Sequence, residues 1–302
     1  MSEPNLLNQV PGLSDSRVSV IVPTLNNERT LRLCLRALNG QSRQPDEIIV
    51  VDGGSTDATC SIAQEDARLL NSKVANRCYQ QNLAAEFADG DYLLFLDADM
   101  TLSELVIEQA LSAAANCPRV ALTIPEVSTG KTFWARAKAF ERSFYAGVWW
   151  IEAARWFPRE VFTAVCGFDP AMVGVEDWDI DQRVRALTEV SRISAPAYHD
   201  EGDLRVMHLA ARKAHYSATF DKFRERHPAR ANLAMGIGPR VRLFASQPLE
   251  IMKHPVLSFG VAALGLAEIA STRGWLKTTD PWPEERPIVA RVAVDDRLSD
   301  EA

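Results

Sequence analysis

The apolar residues of this chain fall into two kinds of run that alternate. Short unbroken runs rich in Val, Ile and Leu occupy 18–24, 47–52 and 92–96, and a polar or acidic residue closes each: Thr24, Asp52 and Asp97. Continuous apolar stretches of this length predict strands covered on both faces. Between them the apolar positions take helical spacing. Leu31, Leu35 and Leu38 share one face of a helix over 29–38, and a second helix runs over 78–88. Gly53, Gly54, Ser55 and Thr56 form a turn into a further helix, with Ser55 or Thr56 as its cap. The first hundred residues therefore read strand–helix–strand–helix–helix–strand, the pattern of an α/β protein whose parallel sheet is joined by right-handed crossovers.

Downstream the pattern predicts a helix over 103–116, a strand over 119–124 and an aromatic-rich helix over 131–145. Trp149, Trp150, Trp156 and Phe157 follow, then a turn at 167–170 and a helix opened by Glu176 and Asp177. Core packing accounts for most of this aromatic cluster; Trp149 or Trp150 in a loop is a candidate stacking platform for a ligand. Val206, Leu209, Tyr216, Phe220 and Phe223 make a helical stripe in which Lys213 takes the remaining position. Residues 254–271 form an apolar helix, shorter than the ~20 residues that span a bilayer and interrupted by Glu268. The division that follows is a disordered leader over 1–17, a main α/β domain over 18–204, a basic and apolar helical extension over 205–278, and an acidic tail over 279–302 in which 288–294 forms an edge strand.

Composition narrows the class. A chain of 302 residues with 47% hydrophobic and 24% charged content builds a sizeable core. The net charge of −7 argues against nucleic acid as a partner. Residues 205–254, however, carry ten Lys/Arg against three Asp/Glu, a local +7 that leaves −14 elsewhere. With the 254–271 helix, that asymmetry suits peripheral contact with a membrane surface through 205–271. Five cysteines without a CxxC pair, and a first segment without an apolar signal core, predict a cytoplasmic protein.

In a parallel sheet the carboxyl ends of the strands lie along one edge, where ligands bind. Residues 24–28, 52–55 and 97–99 should converge there. No Gly-x-Gly-x-x-Gly and no P-loop follows the first strand. Phosphate binding would then rely on a cation, Mn²⁺ or Mg²⁺, held by Asp97 and Asp99. The Asp-x-Asp spacing also occurs at Asp89/Asp91, Asp177/Asp179 and Asp179/Asp181; its place at a strand end is what singles out Asp97/Asp99. The plainer reading is that these acids cap the next helix. Asp52 either accepts hydrogen bonds from a base or ribose or satisfies the backbone of its own turn.

Three segments, 18–28, 50–57 and 90–99, resemble the family 2 inverting glycosyltransferases of the GT-A fold in residues, order and spacing. The resemblance covers residues 18 to about 201. It implies a mostly parallel nucleotide-binding sheet flanked by helices, a nucleotide-diphosphate-sugar donor and a divalent cation. Pro23, Thr24, Asn26 and Glu28 match the family's first nucleotide-contacting loop, Asp52 its base-binding aspartate, and Asp99 the metal-ligating end of its Asp-x-Asp. Asn82 also matches, but Gln81 stands where an arginine is common and Ala84 where a glycine is. A neutral Gln cannot neutralise a diphosphate; Arg77, four residues earlier on the same helix face, is the candidate substitute.

Inverting transfer needs a base for the acceptor hydroxyl. Asp177 matches the family's catalytic aspartate, with Glu176 as its orienting neighbour; the alternative is an acidic first turn that favours the helix dipole. His199, in a His-Asp-Glu-Gly segment similar to one in a bacterial branch of the family, is a candidate third metal ligand. Lys213 either faces phosphate or snorkels over the core. Arg155 and Trp178 fall in the acceptor-side region. Gln182 to Arg185 lies too close to the acid pair and lacks the Trp of processive members. The chain therefore reads as a non-processive glycosyltransferase acting on a glycan or lipid-linked acceptor, at the inner face of the plasma membrane if membrane-associated. The alternatives are a sugar-1-phosphate nucleotidyltransferase and a non-catalytic nucleotide-sugar binder on the same fold.

Overall fold

The structure, a computed structural model, describes residues 16–272. The leader up to 15, the tail from 273 and the edge strand expected at 288–294 lie outside the described residues. The first half runs β1 (Val18–Thr24), α1 (Leu31–Asn39), β2 (Glu47–Asp52), α2 (Thr59–Asp66), β3 (Arg68–Asn71), α3 (Arg77–Phe87), β4 (Tyr92–Phe95), β5 (Met100–Leu102) and α4 (Val106–Asn116). The second continues β6 (Ala121–Thr123), β7 (Glu126–Thr129), α5 (Phe133–Ser143), β8 (Ala154–Pro158), α6 (Arg159–Ala164), α7 (Glu176–Arg185), β9 (Val190–Arg192) and β10 (Ala197–Asp200). Five helices close the described chain: α8 (Val206–Arg226), α9 (Pro228–Ala234), α10 (Ile237–Ala245), α11 (Pro248–Lys253) and α12 (Pro255–Thr272).

The main sheet has seven strands in the order β3-β2-β1-β4-β8-β6-β9. β1 pairs in parallel with β2 and β4, β2 with β3, and β6 with β9, while β8 runs antiparallel between β4 and β6. All seven β1 positions are buried, as an unbroken apolar run requires of a strand covered on both faces. Alternation sends Val18, Val20 and Val22 to a core shared with Leu31, Leu35 and Leu38 of α1. Ile21, Ile49 and Val51 point the other way, onto Cys78, Ala84 and Ala85 of α3. Trp156 of β8 is fully buried and stacks on Tyr92 at 5.1 Å, and Phe95 packs against Phe157, Phe162 and Phe168. Of the aromatic cluster, Phe144, Tyr145, Trp156 and Phe157 are buried, whereas Phe133 and Trp149 are exposed.

A second sheet of three short strands, β5-β10-β7, stands at the carboxyl edge of the first. β10 is its centre, antiparallel to β5 and parallel to β7, with His199 opposite Met100 and Ala197 opposite Glu126. None of these three strands is evident in the hydropathy pattern, because each is only three or four residues long.

The closing helices pack onto what precedes them. α12 lies along α5 and α8. Arg226 and His227 reach the buried Asp179 of α7, and Arg230 of α9 reaches the buried Asp181. Arg230 is itself 2% exposed. Among the described residues no helix is long and apolar enough to cross a membrane.

Candidate active site

The ends of β1, β4 and β10, the first residue of β7 and the start of α7 open on one cleft of about 670 Å³. Pro23, Thr24, Asp97, Asp99 and Arg77 line one part of it, Glu176, Asp177 and Trp178 another, and His199, Glu126 and Arg155 a third. Of the three loops expected to converge, 24–28 and 97–99 line the cleft, while 52–55 does not line it and meets the first loop through Asn26 N–H to Ser55 Oγ at 2.8 Å.

Arg77 is the link between its parts. As the first residue of α3 it follows the N-cap Asn76, whose side chain accepts a hydrogen bond from Tyr79 N–H. Its Nη2 lies 2.7 Å from Asp97 Oδ1 and 3.6 Å from Asp177 Oδ2, and its Nη1 lies 3.0 Å from Glu176 Oε1. One guanidinium therefore ties the strand-end acid to the acid pair that opens α7. Gly174, at φ +86°, lets the chain turn into α7 hard against the Tyr216 ring, where a Cβ would lie 2.6 Å from Cγ.

Asp97 keeps its other oxygen on Arg155, at 3.2 Å. Burial works against its charge, but Arg77 and Arg155 outweigh it and hold the carboxyl below the usual carboxylate range. Arg155 was expected on the acceptor side; it stands on Asp97 and on Glu126. Asp99, by contrast, is 38% exposed, and its Oδ2 lies 3.3 Å from His199 Nε2. Burial lowers the His199 pKa, but Asp99 and Glu126 together carry it up to about 10. Burial, and then the neighbouring Asp177, push the Glu176 carboxyl up to about 7 despite Arg77. Glu176 Oε2 is buried without a hydrogen-bond partner.

The loop residues divide in two. Pro23 and Thr24 line the cleft. Asn26 holds the second loop through its Oδ1, which accepts from Thr56 N–H, and Glu28 accepts from Ala58 N–H. The Asp52 carboxylate is 2% exposed and accepts from Gly54 N–H, Ser55 N–H and the Ser55 hydroxyl. Its backbone-satisfying role is therefore filled. Asn82 faces away: it donates to Phe168 C=O and accepts from Phe168 N–H, fixing the turn at 167–170. Trp178 donates its indole N–H to Ile151 C=O at 2.7 Å. Lys213 falls within α8, but its side chain lies outside the described residues.

Sequence reasoning missed several lining residues. Glu126 follows Pro125 at the end of a correctly expected strand, so the rule that singled out Asp97 also applied to it. Lys138 and Glu141 line the far end of the cleft from α5, Tyr145 from the turn just after it, and Arg240 from α10. Lys138 Nζ bridges Glu141 at 2.8 Å and Glu268 of α12 at 3.2 Å, and the Tyr145 hydroxyl donates to Glu141. Nothing in the sequence marks Arg240.

The mostly parallel sheet with a cleft at its carboxyl edge is a fold of the GT-A type. The model of glycosyl transferase family 2 matches residues 19–173, and the chain belongs to that family. Among curated proteins it is 35% identical over 114 residues to the 4,4'-diaponeurosporenoate glycosyltransferase of Staphylococcus haemolyticus, which is 34% of this chain and 28% of that protein. It is 39% identical over 93 residues to a PGL/p-HBAD biosynthesis glycosyltransferase of Mycobacterium bovis, covering 28% of this chain and 36% of that one. To the glycosyltransferase GlyA of Streptococcus pneumoniae it is 34% identical over 102 residues, 32% of this chain and 15% of GlyA. The chain thus spans well under half the length of the curated relatives it matches. Among solved structures it resembles the Pyrobaculum calidifontis mannosyltransferase in complex with GDP-Man and Mn²⁺. The TM-score there is 0.56 at 19% identity, over 87% of this chain and 88% of that one. It also resembles the Mycobacterium tuberculosis glucosyl-3-phosphoglycerate synthase in complex with Mn²⁺, UDP and glucosyl-3-phosphoglycerate. That TM-score is 0.51 at 16% identity, over 74% and 85% of the two chains.

Proposed function

We propose that this protein is a non-processive inverting glycosyltransferase that moves a sugar from a nucleotide-diphosphate-sugar to an acceptor hydroxyl. The observation that carries the reading is the sharing of one cleft by Arg77, Asp97, Asp99, His199 and the Glu176–Asp177 pair. A cation for diphosphate, an acid–imidazole pair and a partly exposed carboxylate are the groups this transfer requires. Glycosyl transferase family 2 membership supports it, and so do the nucleotide-bound states of the structural neighbours.

The donor is read as lying along Pro23, Thr24 and Arg77, with Asn26, Glu28 and Asp52 shaping the nucleotide loop, Asn82 bracing the turn before the acid pair, and Lys213 near the phosphates. Asp99 and His199 would hold a divalent cation. A carboxylate oxygen and an imidazole nitrogen suit Mn²⁺ or Mg²⁺. Among the described residues no group of three or more His, Cys, Asp or Glu side chains forms a cage, so the other positions fall to substrate oxygens and water. When bound, the cation would neutralise charge on the diphosphate leaving group. Asp97, engaged by two arginines, acts through them instead of through the metal.

The remaining work falls to the chain's own residues. Asp177 accepts the proton of the acceptor hydroxyl while its oxygen bonds to the anomeric carbon. The bond from that carbon to the diphosphate oxygen breaks with its electron pair, and the sugar inverts. Arg77, already within reach of Asp97, stabilises the developing charge. Glu176 orients Arg77 and Asp177, and Arg155 steadies Asp97. Trp178, beside the acid pair, faces the acceptor end, where α5, α8 and α10 close the cleft.

We read the acceptor as a glycan or lipid-linked hydroxyl, and residues 205–271 as the part that meets an anionic membrane surface. Arg240 lines the cleft, and its neighbour Val241 is exposed together with Ile237, Leu249, Met252, Val256, Phe259 and Leu266. Arg242 and Lys253 stand among these apolar side chains. A thermal-shift panel of UDP and GDP with and without Mn²⁺ tests the donor half of the reading, since a bound ligand raises the melting temperature. No shift with either nucleotide would refute it.

A further inference from the structure

We propose that Glu126 is the positioning residue for the cation side of the cleft. It holds the proton on His199 Nδ1, and so turns Nε2 toward the space beside Asp99. The proposal rests on reading Asp99 and His199 as the cation pair.

The small sheet builds the arrangement. β10 stands between β5, which begins directly after Asp99, and β7, which begins at Glu126. Ala197 is the residue opposite Glu126, and His199 lies two further along the same face. Ala197 has only a methyl group, which leaves the diagonal open for the Glu126 carboxylate to reach the imidazole. Oε1 meets His199 Nδ1 at 2.9 Å, and the opposite ring nitrogen, Nε2, lies 3.3 Å from Asp99 Oδ2.

The chemistry then decides which ring nitrogen keeps its proton. An ionised carboxylate only accepts hydrogen bonds. Arg142 and Arg155 both pair with Glu126, so it stays ionised despite its burial. Nδ1 must therefore donate to Glu126; Nε2 faces the Asp99 carboxylate and is the nitrogen that would give up its proton to lend a lone pair to a cation. A carboxylate behind a ligating histidine sets ring orientation and raises ligand basicity. The other oxygen does comparable work. Oε2 meets Arg155 Nη2 at 3.3 Å, and Arg155 Nη1 reaches Asp97 at 3.2 Å. One half-buried carboxylate thus orients a group on each acid of the Asp97–Asp99 pair.

The test is Mn²⁺ binding to the full chain, read by the electron paramagnetic resonance of the free ion, without turnover. Glu126→Ala should weaken Mn²⁺ binding by about 10–100-fold. Glu126→Gln keeps an oxygen that accepts from Nδ1–H and should stay within a few-fold of the parent. Glu126→Ala binding Mn²⁺ as tightly as the parent, with an unchanged melting curve, overturns the proposal. A parent protein that binds no Mn²⁺ overturns both the proposal and the cation reading. If Glu126→Ala does not fold, nitrogen-15 NMR of the histidine rings in the Mg²⁺-loaded parent decides, with the His199 signal assigned from its loss in His199→Asn. A proton on Nδ1 supports the proposal, and a proton on Nε2 overturns it.

Discussion

Arg77 Nη2 lies 2.7 Å from Asp97 Oδ1, so the first residue of α3 neutralises the acid at the end of β4. The same guanidinium reaches Glu176 and Asp177. Where family resemblance leads one to expect an arginine, Gln81 is 1% exposed inside α3. The cation has in effect moved one helical turn toward the N-terminus, where the helix dipole also favours an anionic ligand. Arg77→Gln should therefore weaken nucleotide-diphosphate binding by about tenfold or more, the loss of a charge-assisted hydrogen bond. Calorimetric titration with UDP and GDP in Mn²⁺ checks this. Unchanged affinity in a folded variant would make Arg77 structural only.

Glu176 should leave a mark on stability. Its carboxyl is raised from an ordinary 4.5 to about 7, first by burial. The folded state thus binds more protons than the unfolded state between those values, and stability falls as pH rises from about 4.5 through about 7. Glu176→Gln removes that slope. The difference between parent and variant melting temperatures should grow in the variant's favour from pH 5 to pH 8. A constant difference across that range would contradict the assignment.

The closing helices are expected to be integral to the fold. Arg230 of α9 and Asp181 of α7 form an ion pair in which both partners are buried. Arg230→Ala would leave Asp181 with Arg185 alone among the basic residues now paired with it, and breaking a buried pair costs roughly 3–5 kcal/mol. Thermal unfolding should show a drop of many degrees. A shift of only a degree or two would mean that α9 contributes little to the catalytic sheet.

Membrane contact predicts co-sedimentation with vesicles containing anionic phospholipid, weakened by salt. Replacing the exposed Met252 and Phe259 by Glu should abolish it and leave the melting temperature unchanged, since both side chains are over 70% exposed. Equal binding to neutral vesicles at high salt would remove the electrostatic part of this reading.

The sequence was legible where a pattern extends over several turns or a whole strand. β1 and β2 have the expected boundaries, and α1 buries Leu31, Leu35 and Leu38 as its spacing requires. The edge that gathers Thr24, Asp97 and Asp99 follows from topology alone. What stayed hidden depends on short or distant pairings. β8 reads as part of an aromatic cluster, yet it is the antiparallel strand between β4 and β6. β5, β7 and β10 are too short for periodicity to register, although they bring Glu126, His199 and Asp99 together. Arg155 was expected at the acceptor, but its geometry with Asp97 depends on β8 lying beside β4. Arg240 comes from a helix joined to the sheet only by tertiary packing.

The central claim is sugar transfer with Asp177 as base, and nucleotide-sugar turnover tests it most directly. Nucleotide diphosphate release should be followed with a panel of UDP- and GDP-sugars and simple glycoside acceptors, with and without Mn²⁺. The parent protein should release nucleotide in an acceptor- and Mn²⁺-dependent way. Asp177→Asn should bind donor normally and lose about 10²–10⁴-fold in rate, the usual contribution of a general base. Full activity in Asp177→Asn would contradict the account.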